Sequence, residues 1–131
     1  MATHLAVFKS VKTVEAILRG QKTLEIRFSL TRQEPYQAVH RDDIVLVKSS
    51  HGEIIGQVEV ENVLYYDKLT PEQIARLRKE HGKEAMLADE YWQKKSKSRY
   101  ATVIFLRRPE RFIMPLKNPK HDQRPWAKLT S

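Results

Sequence analysis

The sequence contains no cysteine. That absence excludes disulfides, thiol nucleophiles and cysteine-based zinc sites. Only four glycines occur, and neither G-x-x-x-x-G-K nor G-x-G-x-x-G is among their contexts, so nucleotide-cofactor loops of those kinds are not expected. No apolar run approaches the roughly 20 residues that a membrane-spanning helix needs. The first residues also lack the apolar core of a secretory signal, so a cytoplasmic location with no membrane contact is expected. The five histidines (His4, His40, His51, His81 and His121) show no H-x-x-x-H or similar ligand spacing. They read as dispersed surface residues, and neither a metal nor a cofactor is expected.

What is present is charge. The chain has 131 residues, enough for one domain, and carries 24 Lys+Arg against 16 Asp+Glu, a net of +8. The excess is segregated. Residues 1–91 hold 13 Lys/Arg and 14 Asp/Glu, whereas residues 92–131 hold 11 and 2. Tyr91, Trp92, Tyr100 and Trp126 are interleaved with this basic stretch, which includes Lys94, Lys95, Lys97, Arg99 and Lys128. Basic groups neutralise phosphates and aromatic faces stack on bases, so the pattern suits an RNA partner. The same pattern also fits an ordinary solvated surface over an aromatic core.

Along the chain, 4–9 reads as a short strand and 12–19 as a helix with Thr13 at its N-cap and Gly20 as its stop. Lys22 to Phe28 alternates as a strand does. Thr23, Glu25 and Arg27 point one way, and Leu24, Ile26 and Phe28 the other. Residues 29–42 read as a loop, 44–48 as a buried strand, and 53–65 as a long strand with Gly56 as a bulge or close-approach point. Thr70, Pro71 and Gln73 form a capping box for a helix that Gly82 should end. A second helix is predicted over Lys83–Gln93, then strands over Tyr100–Leu106 and Arg111–Leu116, the last limited by Pro109 and Pro115. Residues 118–131 read as an irregular basic arm. The element order does not alternate as a βαβ array would. It predicts an α+β domain over 1–131, with a mostly antiparallel sheet curled into a small closed or nearly closed barrel.

Gly20-Gln21-Lys22-Thr23-Leu24-Glu25-Ile26-Arg27 carries a G-x-K-x-x-E-x-R pattern. A helix precedes it, and Asp43-Ile44-Val45-Leu46-Val47, a Gly-containing strand, a helical insertion, Tyr91-Trp92 and Arg99-Tyr100-Ala101-Thr102-Val103-Ile104 follow. In this the chain resembles the ASCH domain family, a branch of the PUA-like β-barrels, over roughly residues 5–108. The Arg124-Pro125-Trp126 ending resembles some members as well. Asp42 stands where that family usually has Gly. The resemblance implies a cleft on the barrel, lined by the motif's polar residues and suited to RNA or a nucleoside. Some members resemble RNA-binding modules, others are described as amidohydrolases of N4-acetylcytidine, and others as RNA-cleaving enzymes.

The candidate site follows from these residues. Glu25 and Arg27 share a strand face, as a local salt bridge or as a carboxylate and guanidinium that grip a ligand. Lys22 is expected in the turn after Gly20, with its ammonium aimed into the cleft. Thr23 should share the face of Glu25. The amidohydrolase subgroup carries Thr where this chain has Glu25, and a second carboxylate is expected from the helical insertion: Glu80, with Glu84 and Glu90 as rivals. Tyr91, Trp92, Arg99 and Trp126 are candidate ligand contacts. Trp126 either plugs the barrel or stacks on a base. The leading expectation is binding of RNA or a modified nucleoside. The alternative is hydrolysis, with Lys22 or Glu25 as base and Arg27 or a backbone N–H at the oxyanion. A protein-interaction module is the third.

Overall fold

The computed structural model describes residues 1–117 and 124–130. Strand β1 (Thr3–Phe8) leads into helix α1 (Val11–Leu18). Ser10 caps α1, not Thr13: its backbone is extended and its Oγ accepts from the Lys12 N–H at 3.1 Å. The helix closes in a Schellman motif. The Gly20 N–H donates to Ile17 O at 3.0 Å and the Gln21 N–H to Ala16 O at 2.9 Å. Gly20 takes φ +74°, the left-handed conformation this position requires. The chain then turns into β2 (Leu24–Ser29).

Strands β3 (Ile44–Ser49), β4 (Ile54–Tyr66), β5 (Tyr100–Leu116) and β6 (Trp126–Thr130) complete one six-stranded sheet in the order β2-β5-β4-β3-β1-β6. Every pairing is antiparallel except β1 with β3. The fold is α+β with a mostly antiparallel, barrel-like sheet, as expected; the sheet curls into a half-barrel with β2 and β6 as its two edges.

Two strand expectations are corrected. Tyr100–Leu106 and Arg111–Leu116 are parts of one strand, β5, which runs through Pro109 and Pro115. The physical reason is that β2 pairs with β5 only as far as Phe105. Beyond it β5 has β4 on one side alone, and an edge tolerates prolines that a central strand would not. Residues 126–130, expected within an irregular arm, form β6 against β1, with Ala6 opposite Trp126. The rest of that arm up to residue 123, including Lys120 and His121, lies outside the described residues.

Helix α2 (Pro71–Ala85) starts at the predicted capping box. The Thr70 hydroxyl accepts from the Gln73 N–H, and the Gln73 side chain accepts from the Thr70 N–H at 2.9 Å. Gly82 does not end it. The helix continues to Ala85, and Met86 closes it in the left-handed region at φ 51°. An interior glycine costs only roughly 1 kcal/mol, and the helix runs on to bury Ala85, whose carbonyl accepts from Lys22. The second helix, α3, is accordingly shorter than expected and spans Asp89–Lys94.

The sheet separates two apolar clusters. Val14 and Ile17 of α1 pack inside the half-barrel against Ala6, Phe8, Val45, Val47 and Ile104. On the outer side Leu24, Ile26 and Phe28 pack against Ile74, Leu77 and Trp92 of α2 and α3. Strand β2 is thus covered on both faces, and this decides the environment of the motif residues. Gly56 is a close-approach point as predicted. A Cβ there would sit 2.6 Å from both the Glu110 carbonyl oxygen and Leu18 Cδ2. Among the described residues, no helix is long and apolar enough to cross a membrane.

Candidate functional site

Lys22 lies in the turn before β2, as expected, but its ammonium is not displayed in an open cleft. The residue is 2% exposed. Its Nζ donates to the Ala85 carbonyl at the end of α2 and lies 3.1 Å from Glu25 Oε1. Glu25, 5% exposed, accepts from Arg27 Nε at 2.6 Å through its other oxygen. Oε1 faces the Lys22 ammonium, yet no donor among the described residues is aligned to hydrogen-bond it. Burial is the largest influence on the Glu25 carboxyl and raises its pKa. The Lys22 and Arg27 charges together outweigh it, so the carboxyl titrates below its ordinary value. Two cations and one anion leave the cluster with a positive excess.

Arg27 spans the opening of the half-barrel. One terminal nitrogen donates to Val7 O at 3.2 Å, on β1, and the other to Pro125 O at 3.3 Å, just before β6. Its guanidinium lies 4.9 Å from the Phe8 ring centroid and 5.4 Å from that of Trp126. Among the described residues no strand ladder joins β2 to β1 or β6. A side chain therefore bridges the seam where a closed barrel would have backbone pairing.

Trp126 closes this seam and does not stand free to stack. It is 3% exposed, and its indole N–H donates to His4 Nδ1 at 3.2 Å. His4 is fully buried, which corrects the expectation of surface histidines. The reason is the alternation of β1, which turns His4 inward with Ala6 and Phe8. Because Nδ1 accepts from Trp126, Nε2 carries the proton and donates to Asp43 Oδ2 at 2.8 Å. Asp43 also accepts from the Ala2 and His40 N–H groups, each at 2.9 Å. Burial pushes the Asp43 carboxyl up. These three donors more than offset it and leave the group below its ordinary value. Two polar groups, Asp43–His4–Trp126 and Arg27–Glu25–Lys22, therefore meet where the Arg27 guanidinium lies against the Trp126 ring. The strand holding His4 was legible in the sequence, but its partners Asp43 and Trp126, 39 and 122 residues away, were not.

The remaining candidates are dispersed. Tyr91 and Trp92 pack behind β2, on the outer face. The Tyr91 hydroxyl donates to Ile26 O at 2.8 Å, and Trp92 meets Phe28 edge-on at 5.8 Å. Burial, followed by the nearby Glu25 charge, raises the Tyr91 pKa. Thr23 is exposed, and its backbone joins Glu84 O and the Leu106 N–H. Arg99 is exposed in the turn before β5. Glu80 is exposed on α2, with His81 Nε2 at 4.0 Å, and Glu84 and Glu90 are exposed too. None of the three enters the buried cluster among the described contacts.

The basic segment is partly neutralised by acids from the first part of the chain. Arg107 pairs with Glu59 at 2.7 Å and with Asp42, Arg108 with Glu59 at 3.2 Å, and Arg111 with Glu15. Exposed pairs of this kind contribute about 0–1 kcal/mol each, but they remove three arginines from the free positive surface.

The model of the ASCH domain family matches residues 11–110. Among curated proteins, none matches the sequence. Solved structures agree in fold. The ASCH protein from Zymomonas mobilis is 18% identical, with a TM-score of 0.72, over 98% of this chain and 87% of that one. The N-terminal domain of Staphylothermus marinus McrB is 12% identical, with a TM-score of 0.51, over 88% and 76%. An ASCH domain from Lactobacillus crispatus is 11% identical, with a TM-score of 0.50, over 79% and 78%. Identities this low speak to fold alone. The family match covers well over half of the sequence, and on that ground the chain belongs to the ASCH domain family, which is PUA-like and thought to bind RNA.

Proposed function

We propose that this protein binds RNA or a modified nucleoside along the seam where β2 faces β1 and β6. The observation that carries the reading is the buried Lys22–Glu25–Arg27 cluster at that seam, with Lys22 Nζ 3.1 Å from Glu25 Oε1 and Arg27 Nε donating to Oε2 at 2.6 Å. Burying an ion cluster costs several kcal/mol per charge in desolvation, and apolar residues of similar volume often serve stability as well or better. A cluster of this kind at the opening of a half-barrel therefore favours a binding role. A carboxylate oxygen accepts from the exocyclic amine of a base, and a guanidinium donates to a carbonyl or phosphate oxygen.

The alternative, hydrolysis of an acylated nucleoside or of RNA, uses the same cluster. Glu25 is its base, because the Lys22 ammonium donates to Ala85 O and is held in an ion pair with Glu25. The depressed pKa of Glu25 makes it a weak base, and this favours binding over turnover. Calorimetric titration with N4-acetylcytidine, cytidine and a short single-stranded RNA tests the reading. Binding of at least one, weakened about tenfold or more in Glu25→Gln with the fold retained, is expected. Acetate released by the wild type and lost in Glu25→Gln decides for the hydrolase. No binding of any of the three overturns the proposal.

A further inference from the structure

Arg32, Lys97 and Arg99 lie where β2 ends and β5 begins, and no salt bridge among the described residues engages them. Ser29 pairs with Tyr100, so Tyr100 stands on the same inner face as Arg27, one row further along. Tyr36, from the 30–42 loop, packs edge-on against Tyr100 at 5.0 Å and against Tyr65 at 5.6 Å. The Arg32 guanidinium lies over the Tyr100 ring, 5.7 Å from its centroid. Arg32 is exposed, and Tyr36 and Tyr100 are partly exposed. Arg99 is fixed at the same end by its backbone, which donates to Ser29 O at 3.0 Å and accepts from the Leu69 N–H at 2.9 Å. Lys97 lies in the turn that delivers it. Asp67 lies near enough to act on Arg32.

The loop that carries this corner is tied down. The Ser29 hydroxyl donates to Thr31 O at 2.7 Å, Tyr65 Oη accepts from the Val39 N–H at 2.8 Å, and Glu34 accepts from the Lys128 N–H at 3.0 Å. A stacking surface held this way loses little conformational entropy on binding.

We infer that Arg32, Tyr36, Arg99 and Tyr100 form a docking ledge for single-stranded RNA, with one base stacked on the Arg32–Tyr100 pair and the flanking phosphates against Arg99 and Lys97. Stacking on a guanidinium or phenol plane needs an unpaired base, which selects single strands over duplexes. A partly exposed Tyr100 ring beside an exposed guanidinium favours a nucleic acid over an acidic protein, because a carboxylate has no base face to offer. The ledge rests on the RNA reading above and extends it away from the buried cluster.

Fluorescence anisotropy of a labelled eight-nucleotide single-stranded RNA, with the full chain at several salt concentrations, tests it. Arg32→Ala should weaken binding about tenfold. Arg32→Lys should recover less than half of that loss on a logarithmic scale, because a lysine keeps the charge but not the plane. Arg99→Ala should lower the slope of log affinity against log salt by about one. Wild-type binding that Arg32→Ala and Arg99→Ala both leave within twofold overturns the ledge and leaves the RNA reading standing. So does duplex RNA bound as tightly as the single strand. Absence of wild-type binding overturns the ledge and the RNA half of the reading above, and leaves its nucleoside half to the calorimetric titration.

Discussion

Lys22 donates from its buried ammonium to the carbonyl oxygen of Ala85, 63 residues further along the chain. Ala85 is the last residue of α2, where carbonyls lack partners within the helix and the helix dipole is negative. A lysine there caps the helix from outside. The contact exists because α2 runs past Gly82, and it ties the helical insertion to the turn that starts the motif strand. It also explains how a lysine stands at a core position: its charge is met by Ala85 O on one side and Glu25 on the other.

The Lys22→Met variant should therefore lose stability. Removing the ammonium leaves the Glu25 charge with Arg27 alone and orphans a helix-end carbonyl. Breaking a buried pair by deleting one partner costs about 3–5 kcal/mol. Urea unfolding at pH 7 should show that loss, and the double variant Lys22→Met/Glu25→Leu should recover part of it. A single variant as stable as the wild type would show that Lys22 has no structural role.

Acid should unfold the protein through two buried carboxylates. Glu25 and Asp43 both titrate below their ordinary values, 4.5 and 3.8, in the folded state. A depressed folded pKa stabilises at pH above the unfolded value, and the benefit is lost as pH falls through the folded one. Stability should hold down to about pH 5 and decline steadily below about pH 4. In Glu25→Gln the decline should be shallower, read as the urea midpoint at pH 7, 5, 4 and 3. A wild-type midpoint constant from pH 5 to pH 3 would contradict the network.

Local chemistry made some of this legible in the sequence. The Thr70–Pro71–Gln73 box and the Gly20 stop depend on neighbours a few residues apart, and both stand as read. The alternation of β2 placed Glu25 with Arg27 correctly, since side-chain direction in a strand is a matter of period two. The environment of those residues was not legible. It depends on α2 covering one face of β2 while the interior of the half-barrel covers the other. The course of β5 through two prolines depends on where β2 stops pairing, and the burial of His4 on Asp43 and Trp126 spans most of the chain. Such features come from long-range packing, which overrides propensity read over short windows.

Gly56→Ala tests the close approach of β4 to β5 and α1. The new Cβ would meet the Glu110 carbonyl oxygen and Leu18 Cδ2, each at 2.6 Å. The leucine can rotate, but a backbone carbonyl in a sheet cannot move without displacing its strand. Overpacking of this kind costs about 1–3 kcal/mol. Thermal unfolding should show a clear drop, with the native fold retained by circular dichroism. An unchanged melting temperature would mean the strands are spaced more widely at this point.

The seam itself is tested by Arg27→Lys. Arginine reaches Glu25, Val7 O and Pro125 O at once because its planar fork offers several fixed donors, and its flat face lies against Phe8 and Trp126. Lysine keeps the charge beside Glu25 but offers one compact ammonium, which cannot span β2, β1 and the approach to β6 together. Global stability should fall modestly, by about 1–2 kcal/mol, because the charge near Glu25 is retained. The larger effect should be local. Strand β6 is paired along one side only, to β1, so it depends on the seam for its second attachment. Backbone amides of Trp126–Thr130 should exchange with solvent at least tenfold faster in Arg27→Lys, while those of the β4–β5 pair keep their wild-type protection. Equal acceleration across the whole sheet would instead report general destabilisation, and unchanged β6 protection would mean that the β1 ladder alone holds that edge.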